Sequence, residues 1–382
     1  MSIYLSLKEI WRNKGRFFLF SMVIALITVL VLFIAALAEG LATANKEYLE
    51  KMNAELLVFQ ADADLSTTAS RLGRSKINDV KRVPGVADVG PVGFSSAKII
   101  LPNGQETVDI SLVGVEPGKP GAPPALQGQN LRSRRGNDVV LDGNLAKENN
   151  LQVGDVITIR TVQGTDEKDF DLRVVGITDG RQYFFLPSIF VPFRTWDEIK
   201  PQPTEAVGQG ELISNILAVQ LDGSYTWEQM IQLIEMRVDD VQVVDKVTAY
   251  EAAPGYAAQQ STLNTQRIFS LLIGVLVIGG FFQIQTLQKV PQIGMLKAIG
   301  TGSRTVALSV ILQIVLVTIF GVALGAGVSL GLAVGIPGNV PIIFTGSSVA
   351  LAILSLLVIG PAGGIVSVRQ ALKVEPLRAL GM

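Results

Sequence analysis

The stretch TLQKVPQIGMLKAIGTGSR, from Thr286 to Arg304, separates two long apolar runs of the sequence. It carries Lys289, Lys297 and Arg304 and has no acidic residue. Short loops between membrane helices that are rich in lysine and arginine lie in the cytoplasm. The sequence therefore predicts a cytoplasmic loop between two membrane-spanning helices.

A short amphipathic helix is predicted inside this loop. Pro291 suits the first turn of a helix, and Gly300 suits its C-terminal stop. A helix of two or three turns is only marginally stable alone in water, so it needs a surface to lie on. A groove in a partner protein and the lipid headgroups fit the periodicity equally well. A partner groove would bury the apolar side chains of this helix, which are Ile293, Met295, Leu296 and Ile299, with the first, third and last at helical spacing.

Four apolar runs are long enough to cross a bilayer, which takes about 20 residues. The predicted spans are 17–37, 268–287, 306–334 and 349–368. With 17% charged residues and a mean hydropathy of +0.41, the chain of 382 residues is also too apolar for an ordinary soluble protein. The sequence predicts a multi-pass protein of the cell membrane, with one span, a long hydrophilic segment and then three spans.

The charges divide unequally between the two sides of the predicted membrane. The segments 1–16, 288–305 and 369–382 hold ten basic and two acidic residues, a net charge of +8. The segment 38–267 holds the other 22 basic and 31 acidic residues, a net charge of −9, and the connection 335–348 is uncharged. This asymmetry predicts both termini in the cytoplasm and residues 38–267 outside it.

Residues 1–16 place apolar side chains on one helical side and basic residues near the membrane edge. They predict an amphipathic helix that lies in the plane of the membrane. A cleaved signal peptide is the alternative, because Ala36-Leu37-Ala38 resembles a cleavage site. The apolar run before this site has 21 residues, which is long for a signal peptide, and its removal would leave an odd number of spans.

The hydrophilic segment 38–267 is long enough for one or two domains. Its alternating apolar runs predict strands, with a hairpin at Asn103-Gly104. Strands and helices at both ends predict an α/β subdomain, interrupted at about 118–210 by a β-rich subdomain. No helix breaker follows the first span until past Lys51, and 250–266 leads into the second span, so two stalk helices are predicted. The predicted fold class is an α+β membrane protein.

Glycines recur at four-residue spacing in the third predicted span. They are Gly321 and Gly325, then Gly327, Gly331 and Gly335. Small residues on one stripe allow two helices to approach closely in lipid. The pattern fits close packing within this chain and packing against a second copy equally well.

Composition excludes several kinds of chemistry. The chain has no histidine and no cysteine, which excludes disulfides, thiolate or imidazole metal sites and the usual Ser-His and Cys-His nucleophiles. It has no P-loop motif for binding nucleotide phosphates. No charged residue lies within the predicted spans, which disfavours proton-coupled or ion-coupled transport. The sequence predicts no catalytic residue, no bound metal or cofactor and no nucleic-acid partner.

The loop resembles the coupling segment of the MacB/FtsX-type permeases of ABC transporters, which carries an E-I-G-x-x-[KR]-A-[IL]-G core. The matching residues are Ile293, Gly294, Lys297, Ala298, Ile299 and Gly300. Gln292 stands where the family usually has Glu, and Pro291 where it often has Arg. The block VVLDGNLAKENNLQVGDVITI, the preceding PGVADVGPV, the ending RQALKVEPLRALG and the order of spans are also similar, so the resemblance covers nearly the whole chain.

The resemblance implies a non-catalytic permease subunit. ATP and Mg would be bound by a separate ABC ATPase subunit, and a second permease copy or a related permease would complete the pair. The resemblance also allows a membrane-fusion adaptor protein as a further partner. In this family, closing of the ATPase pair is passed to the external domain as motion of the stalks. The residues implied to dock on the ATPase are Pro291, Gln292, Ile293, Gly294, Met295, Leu296, Lys297, Ala298, Ile299 and Gly300.

The predicted function is ATP-driven export or extraction of a substrate that the sequence does not identify. A membrane-anchored sensor or scaffold without an ATPase is the main alternative. A membrane-tethered external enzyme is a weaker alternative, because the chain lacks histidine, cysteine and a coherent pair of acidic residues.

Overall fold

The computed structural model of the chain describes Lys8 and residues 11–101, 107–202, 212–335 and 342–373. The chain divides into two compact units. The membrane unit comprises residues 1–41 and 260–382, and the large domain comprises residues 42–259. Three predicted features lie wholly or mainly outside the described residues: the N-terminal amphipathic helix, the Asn103-Gly104 turn and the C-terminal tail. Residues 336–341 of the predicted 335–348 loop also lie outside them.

The helices and strands follow one another in this order along the chain. The helices are α1 (Lys14–Glu50), α2 (Arg74–Lys81), α3 (Gly143–Glu148), α4 (Phe193–Ile199), α5 (Trp227–Arg237), α6 (Lys246–Glu251), α7 (Tyr256–Gln288), α8 (Val290–Ala298), α9 (Ser303–Gly335) and α10 (Gly346–Lys373). The strands are β1 (Leu56–Gln60), β2 (Val86–Ile100), β3 (Thr107–Val115), β4 (Gln127–Gly128), β5 (Asp138–Leu141), β6 (Val156–Gln163), β7 (Asp166–Ile177), β8 (Ser188–Pro192), β9 (Ile216–Leu221) and β10 (Val241–Asp245).

Among the described residues, the four helices α1, α7, α9 and α10 are long and apolar enough to cross a membrane. Each contains one of the predicted spans. Their inward faces share one cluster of buried apolar side chains that includes Ile24, Ile278 and Ile314. Their outward faces expose large apolar side chains such as Leu26 and Ile268, as expected for helices surrounded by lipid. The prediction of four spans is confirmed.

Helix α1 is continuous over 37 residues. At 1.5 Å per residue it is about 55 Å long, whereas the hydrocarbon core of a bilayer is about 30 Å thick. Helix α7 is also continuous, over 33 residues, and it contains the second predicted span. It begins at Tyr256 because Pro254 and Gly255, the latter with a φ of 82°, interrupt the helix after α6. Both helices therefore continue beyond the predicted spans, and their role as stalks stays a prediction.

The large domain is built on one mixed sheet of ten strands in the order β10-β1-β9-β2-β3-β8-β5-β7-β4, with β6 paired to β2 and β7. The predicted β-rich segment at about 118–210 supplies β4 to β8. It joins the rest of the sheet through parallel pairing of β8 with β3 and antiparallel pairing of β6 with β2. Because the sheet is continuous, the inserted segment and the α/β part that it interrupts form one compact unit.

Three clusters of buried apolar side chains pack against the sheet. Helices α2 and α5 cover one region through Val80 and Met230. Helices α3 and α4 cover the β-rich region through Leu145 and Trp196. The last turns of α1 bury Tyr48 in the third cluster. The helix that contains the first predicted span therefore ends inside the core of the large domain.

Candidate functional site: the 288–305 segment and the end of α1

The short helix predicted in the 288–305 segment is α8. Pro291 lies in its first turn. Gly300 follows its end with a φ of 98°, a left-handed conformation that favours glycine, and its N–H donates to Lys297 O at 3.0 Å. The helix therefore begins and ends at the residues that the sequence signals indicate.

Helix α8 turns the apolar side chain of Ile293 toward its own unit. Ile293 is 5% exposed and packs against Val306 of α9, whereas Met295 is 56% and Ile299 is 78% exposed. Six residues at about 100° each place Ile299 about 120° around the helix from Ile293, so the two cannot share one face. The expectation that a partner buries all four apolar residues therefore needs correction. Ile293 is already buried within the chain, and the side chain of Leu296 lies outside the described part.

The other residues implied to dock on a partner also differ in their exposure. Pro291, Gln292, Ala298 and Gly300 are exposed, and Gly294 is buried. A bulky residue at Gly294 would disturb packing within this chain. Exposed positions on α8 are therefore better suited to testing contact with another protein.

Two basic residues of the segment make contacts within the membrane unit. Lys289 Nζ donates to Gln313 Oε1 at 3.2 Å and lies 5.6 Å from the centre of the Phe17 ring. Lys297 Nζ donates to Leu372 O at 2.9 Å, near the end of α10. These contacts hold both ends of α8 in a defined position on the unit.

The five glycines of the predicted packing stripe fall into two groups. A Cβ on Gly321 would lie 2.7 Å from Ile24 Cβ, and a Cβ on Gly325 would lie 2.6 Å from Ala25 O and from Thr28 Cβ. Helices α9 and α1 therefore approach closely within this chain at these two glycines. Among the described residues, no neighbouring atom lies within 4 Å of a Cβ built on Gly327, Gly331 or Gly335. Contact of this second group with another chain stays a prediction.

Helix α10 makes close contacts that are not among the predictions from the sequence. A Cβ on Gly363 would lie 2.8 Å from Val275 O of α7, and a Cβ on Gly360 would lie 2.8 Å from Thr318 Cγ2 of α9. Three glycines between 360 and 364 are the sequence signal that indicates such packing.

The end of α1 is anchored in the large domain by a charged network around Lys51. Lys51 Nζ lies 2.7 Å from Glu47 Oε1 and 3.2 Å from Asp179 Oδ2, and it donates to Gly180 O at 2.7 Å. The buried Arg181 side chain donates to Lys51 O at 2.8 Å. Burial opposes the charge of Lys51, but the carboxylates of Glu47 and Asp179 raise its pKa above the ordinary value. The network ties α1 to the loop after β7.

Asp142 connects the same loop to helix α3. Its buried carboxylate accepts the backbone N–H groups of Asn144 at 2.7 Å, Leu145 at 3.2 Å and Arg181. Burial raises the pKa of Asp142 to about 6, against the lowering effect of these hydrogen bonds. The position of Arg181, and through it of the α1 anchor, depends on this carboxylate.

Among the described residues, no group of three His, Cys, Asp or Glu side chains could hold a metal ion. The four spans and the α/β unit define a multi-pass membrane protein with a large extracytoplasmic α/β domain. The family model of the MacB-like periplasmic core domain matches residues 17–249, more than half of the chain. The model of the FtsX-like permease C-terminal domain matches residues 267–376. The chain belongs to the MacB/FtsX family of ABC transporter permeases.

Similar curated proteins span the whole chain. The putative hemin transport system permease protein HrtB of Staphylococcus haemolyticus is 27% identical over 377 residues, which cover 99% of each chain. The protein of the same name from Staphylococcus epidermidis is 25% identical over 381 residues, again with 99% of each chain covered.

Two solved structures are similar to part of the chain. The extracellular domain of the noncanonic ABC-type transporter YknZ from Gram-positive bacteria is 16% identical, with a TM-score of 0.33, and the match covers 50% of this chain and 99% of that domain. The periplasmic region of MacB from Actinobacillus actinomycetemcomitans is 14% identical, with a TM-score of 0.35, and the match covers 53% and 95% of the two chains.

Proposed function

We propose that this permease is a non-catalytic subunit through which a separate ABC ATPase moves the large domain. In this proposal the ATPase contacts Met295 of α8 and Ile299, which directly follows this helix. The observation that carries it is the exposure of these two apolar side chains, on and directly after a helix that Ile293 already holds against its own unit.

Burial of Met295 and Ile299 in a partner would contribute roughly 1.5–3 kcal/mol each before ordering costs. Part of the ordering cost of binding is avoided in this segment. The Ile293 contact and the hydrogen bond from Lys297 to Leu372 O already restrict the position of α8. A positioned helix loses less freedom on binding than a mobile one does, so two side chains can make a useful contribution.

The same proposal assigns transmission of movement to α1. This helix is unbroken from Lys14 to Glu50, with residues 14–41 in the membrane unit and residues 42–50 in the large domain. Its end is held by the buried Tyr48 and by the network around Lys51. A displacement of α1 along its axis or about it would therefore displace the core of the large domain.

The charge asymmetry of the sequence supports the proposed orientation. Both termini and the 288–305 segment would lie in the cytoplasm, where the ATP-binding partner is found, and the protein would lie in the cell membrane. A second permease copy or a related permease would complete the transporter.

Co-purification with the ATPase tests this proposal. The full chain and its variants Ile299→Glu and Met295→Glu would be expressed in the native host and purified in mild detergent. We expect the wild type to retain an ABC ATPase and both variants to lose it, because each variant places a charge in an apolar contact. Ser303→Glu is the matched control, since it adds the same charge at the exposed start of α9 in the same segment.

Two outcomes would contradict the proposal. Retention of the ATPase by Ile299→Glu would show that α8 is not the contact and would favour a helix resting on lipid headgroups. Absence of any ATPase from the wild-type preparation would favour the sensor or scaffold.

Hemin is the substrate that we propose to test first. The relatives that match this chain over 99% of its length are named putative hemin transport permeases. The chain has no histidine or cysteine, so of the common axial ligands of haem iron it offers only tyrosine and methionine. A strain that lacks this gene should be more sensitive to hemin, and plasmid-borne wild type but not Ile299→Glu should restore growth. Equal hemin sensitivity of the deletion strain and its parent would exclude this substrate.

A further inference from the structure

A cavity of about 170 Å3 opens in the large domain between two loops with unusual backbone conformation. Leu65 lines it from the loop after β1, where Asp62 and Leu65 have φ values of 60° and 55°. Phe184 lines it from the loop before β8, where Phe184 and Phe185 have φ values of 51° and 64°. Left-handed conformations are unfavourable for side chains of these kinds and often accompany ligand sites.

Aromatic side chains form one wall of the cavity. The ring centroids of Phe94 and Tyr183 lie 4.5 Å apart, and those of Tyr183 and Phe184 lie 6.5 Å apart. Phe184 is 47% exposed, although it is a large apolar side chain. The wall therefore offers a ring-binding surface that extends to solvent.

Hydroxyl groups from three neighbouring strands form a row beside this wall. Ser96 of β2 is paired with Ser111 of β3, and Ser111 is paired with Ser188 of β8. Directly paired residues place their side chains on the same face of a sheet. Ser96 and Ser111 line the cavity, and Ser188 Oγ, the next in the row, is buried without a hydrogen-bond partner among the described residues. The row can therefore hydrogen-bond a polar group on a ligand.

The cavity walls carry no net charge. None of the thirteen lining residues is Asp, Glu, Lys or Arg. Burial raises the pKa of Tyr183 to about 12, and its hydroxyl lies 2.6 Å from Thr67 Oγ1, so the phenol stays neutral at ordinary pH. A charged ligand would lose its hydration here without gaining an ionic partner. An apolar cavity of about 150 Å3 is known to hold benzene, so this volume suits one or two fused rings.

We propose that this cavity binds a small, neutral aromatic molecule of one or two rings that carries a hydroxyl or carbonyl group. The ring packs on Phe94 and Phe184, and the polar group bonds to the hydroxyls of Ser96 and Ser111. This site is additional to the proposed ATPase contact, and ligand binding to it requires no ATPase.

The cavity lies beside segments of the large domain that adjoin α1 and α7. Ala253 and Pro254 line it immediately before the start of α7 at Tyr256. Phe185, next to the lining residue Phe184, donates its backbone N–H to Ala44 O of α1 at 3.1 Å. A ligand that orders the Phe184 loop therefore acts on the ends of the two helices that would transmit movement.

Photolabelling of the full chain in lipid nanodiscs tests the site. The probe is a neutral benzyl alcohol that carries a trifluoromethyl diazirine, and labelled peptides are mapped by mass spectrometry. We expect labels at 65–68, 94–96 and 183–186, and we expect excess 2-naphthol to remove them. Labels that the probe places on lipid-facing residues of the spans should not compete, and they serve as the internal control. Absence of label from all three segments, or label that survives competition, would overturn the proposal.

Ser111→Leu provides a second test because its side chain fills the cavity. We expect labelling of the three segments to fall by about tenfold or more, a factor equivalent to about 1.4 kcal/mol in binding free energy. Ser224→Leu makes the same change at an exposed turn before α5 and should label like the wild type. Equal labelling of Ser111→Leu and the wild type would place the ligand elsewhere. If Ser111→Leu does not fold, the competition result on the wild type decides.

Discussion

Replacement of Gly325 by alanine tests the contact between α9 and α1. The added Cβ would lie 2.6 Å from Ala25 O and from Thr28 Cβ, whereas ordinary van der Waals contact begins at 3.4 Å. The two helices must therefore separate by about 0.8 Å at this point, the difference between these distances. Neither neighbour can yield easily, because Ala25 O belongs to the backbone and the buried Thr28 hydroxyl donates to Ile24 O at 2.8 Å.

The expected magnitude follows from two opposing effects. Overpacking of a close contact costs about 1–3 kcal/mol. Alanine is favoured over glycine in a helix by about 1 kcal/mol. Gly331→Ala is the matched control, since it has the same helical gain and meets no neighbouring atom within 4 Å among the described residues. The difference in unfolding free energy between Gly325→Ala and Gly331→Ala should therefore be about 1–3 kcal/mol.

The assay is thermal unfolding of the full-length variants in one detergent at one scan rate, because irreversible unfolding makes the apparent Tm depend on the rate. We expect Gly331→Ala to unfold at or above the wild-type temperature and Gly325→Ala to unfold below Gly331→Ala. An equal or higher Tm for Gly325→Ala would refute the close contact with α1. The particle mass should be recorded as well, since loss of a dimer in Gly331→Ala would place Gly331 against a second copy.

Two further predictions concern the large domain. Tyr48→Phe should lower the free energy of unfolding by about 1–3 kcal/mol, measured from the urea midpoint, because the buried hydroxyl donates to Gly121 O at 2.8 Å; an unchanged midpoint would contradict this role. Asp142 has a pKa of about 6 when folded and an ordinary value of 3.8, so the stability that its proton contributes is complete below about pH 4 and is lost as the pH rises through about 6. The urea midpoint of the wild type, relative to that of Asp142→Asn, should therefore decrease as the pH rises from about 4 to about 6. A difference between the two midpoints that stays constant over this pH range would contradict the raised pKa of Asp142.

The membrane spans and α8 could be predicted because their signals are local. Run length and charge identify the spans, while Pro291 and Gly300 mark the ends of α8. The inward and outward sides of α8 follow from helical geometry. Residues three apart drift by about 60° per step, so Ile293 and Ile299 end on different faces although each is close to Leu296.

Helical geometry also divides the glycine stripe into two sides of α9. Gly325 and Gly327 are two residues apart, which places them about 200° apart around α9. The Gly321 and Gly325 pair must therefore face a different neighbour from Gly327, Gly331 and Gly335. The sequence does not reveal that α1 is the neighbour of Gly321 and Gly325, because α1 is almost 300 residues away along the chain.

Long-range strand pairing accounts for most of what could not be predicted. The parallel pairing of β8 with β3 and the pairing of β6 with β2 join segments that are distant in sequence. The sequence does not predict the row formed by Ser96, Ser111 and Ser188. These residues are brought together by the register of three strands. The exposure of Phe184 could not be predicted either, since an aromatic residue in an apolar stretch is normally expected in the core.

The two stalk helices differ in how they join the large domain. Helix α1 ends with Tyr48 fully buried and with Lys51, just beyond its last turn, in the anchoring network, so it cannot shift without displacing the core. Helix α7 begins after the Pro254-Gly255 interruption, and among its residues 256–266 only Leu263 is buried. A turn with a glycine at positive φ takes up a change of helix direction with little loss of packing. We therefore expect α1 to impose movement on the large domain and α7 to follow it, with the aromatic cavity between their ends as the place where a bound ligand would oppose or favour that movement.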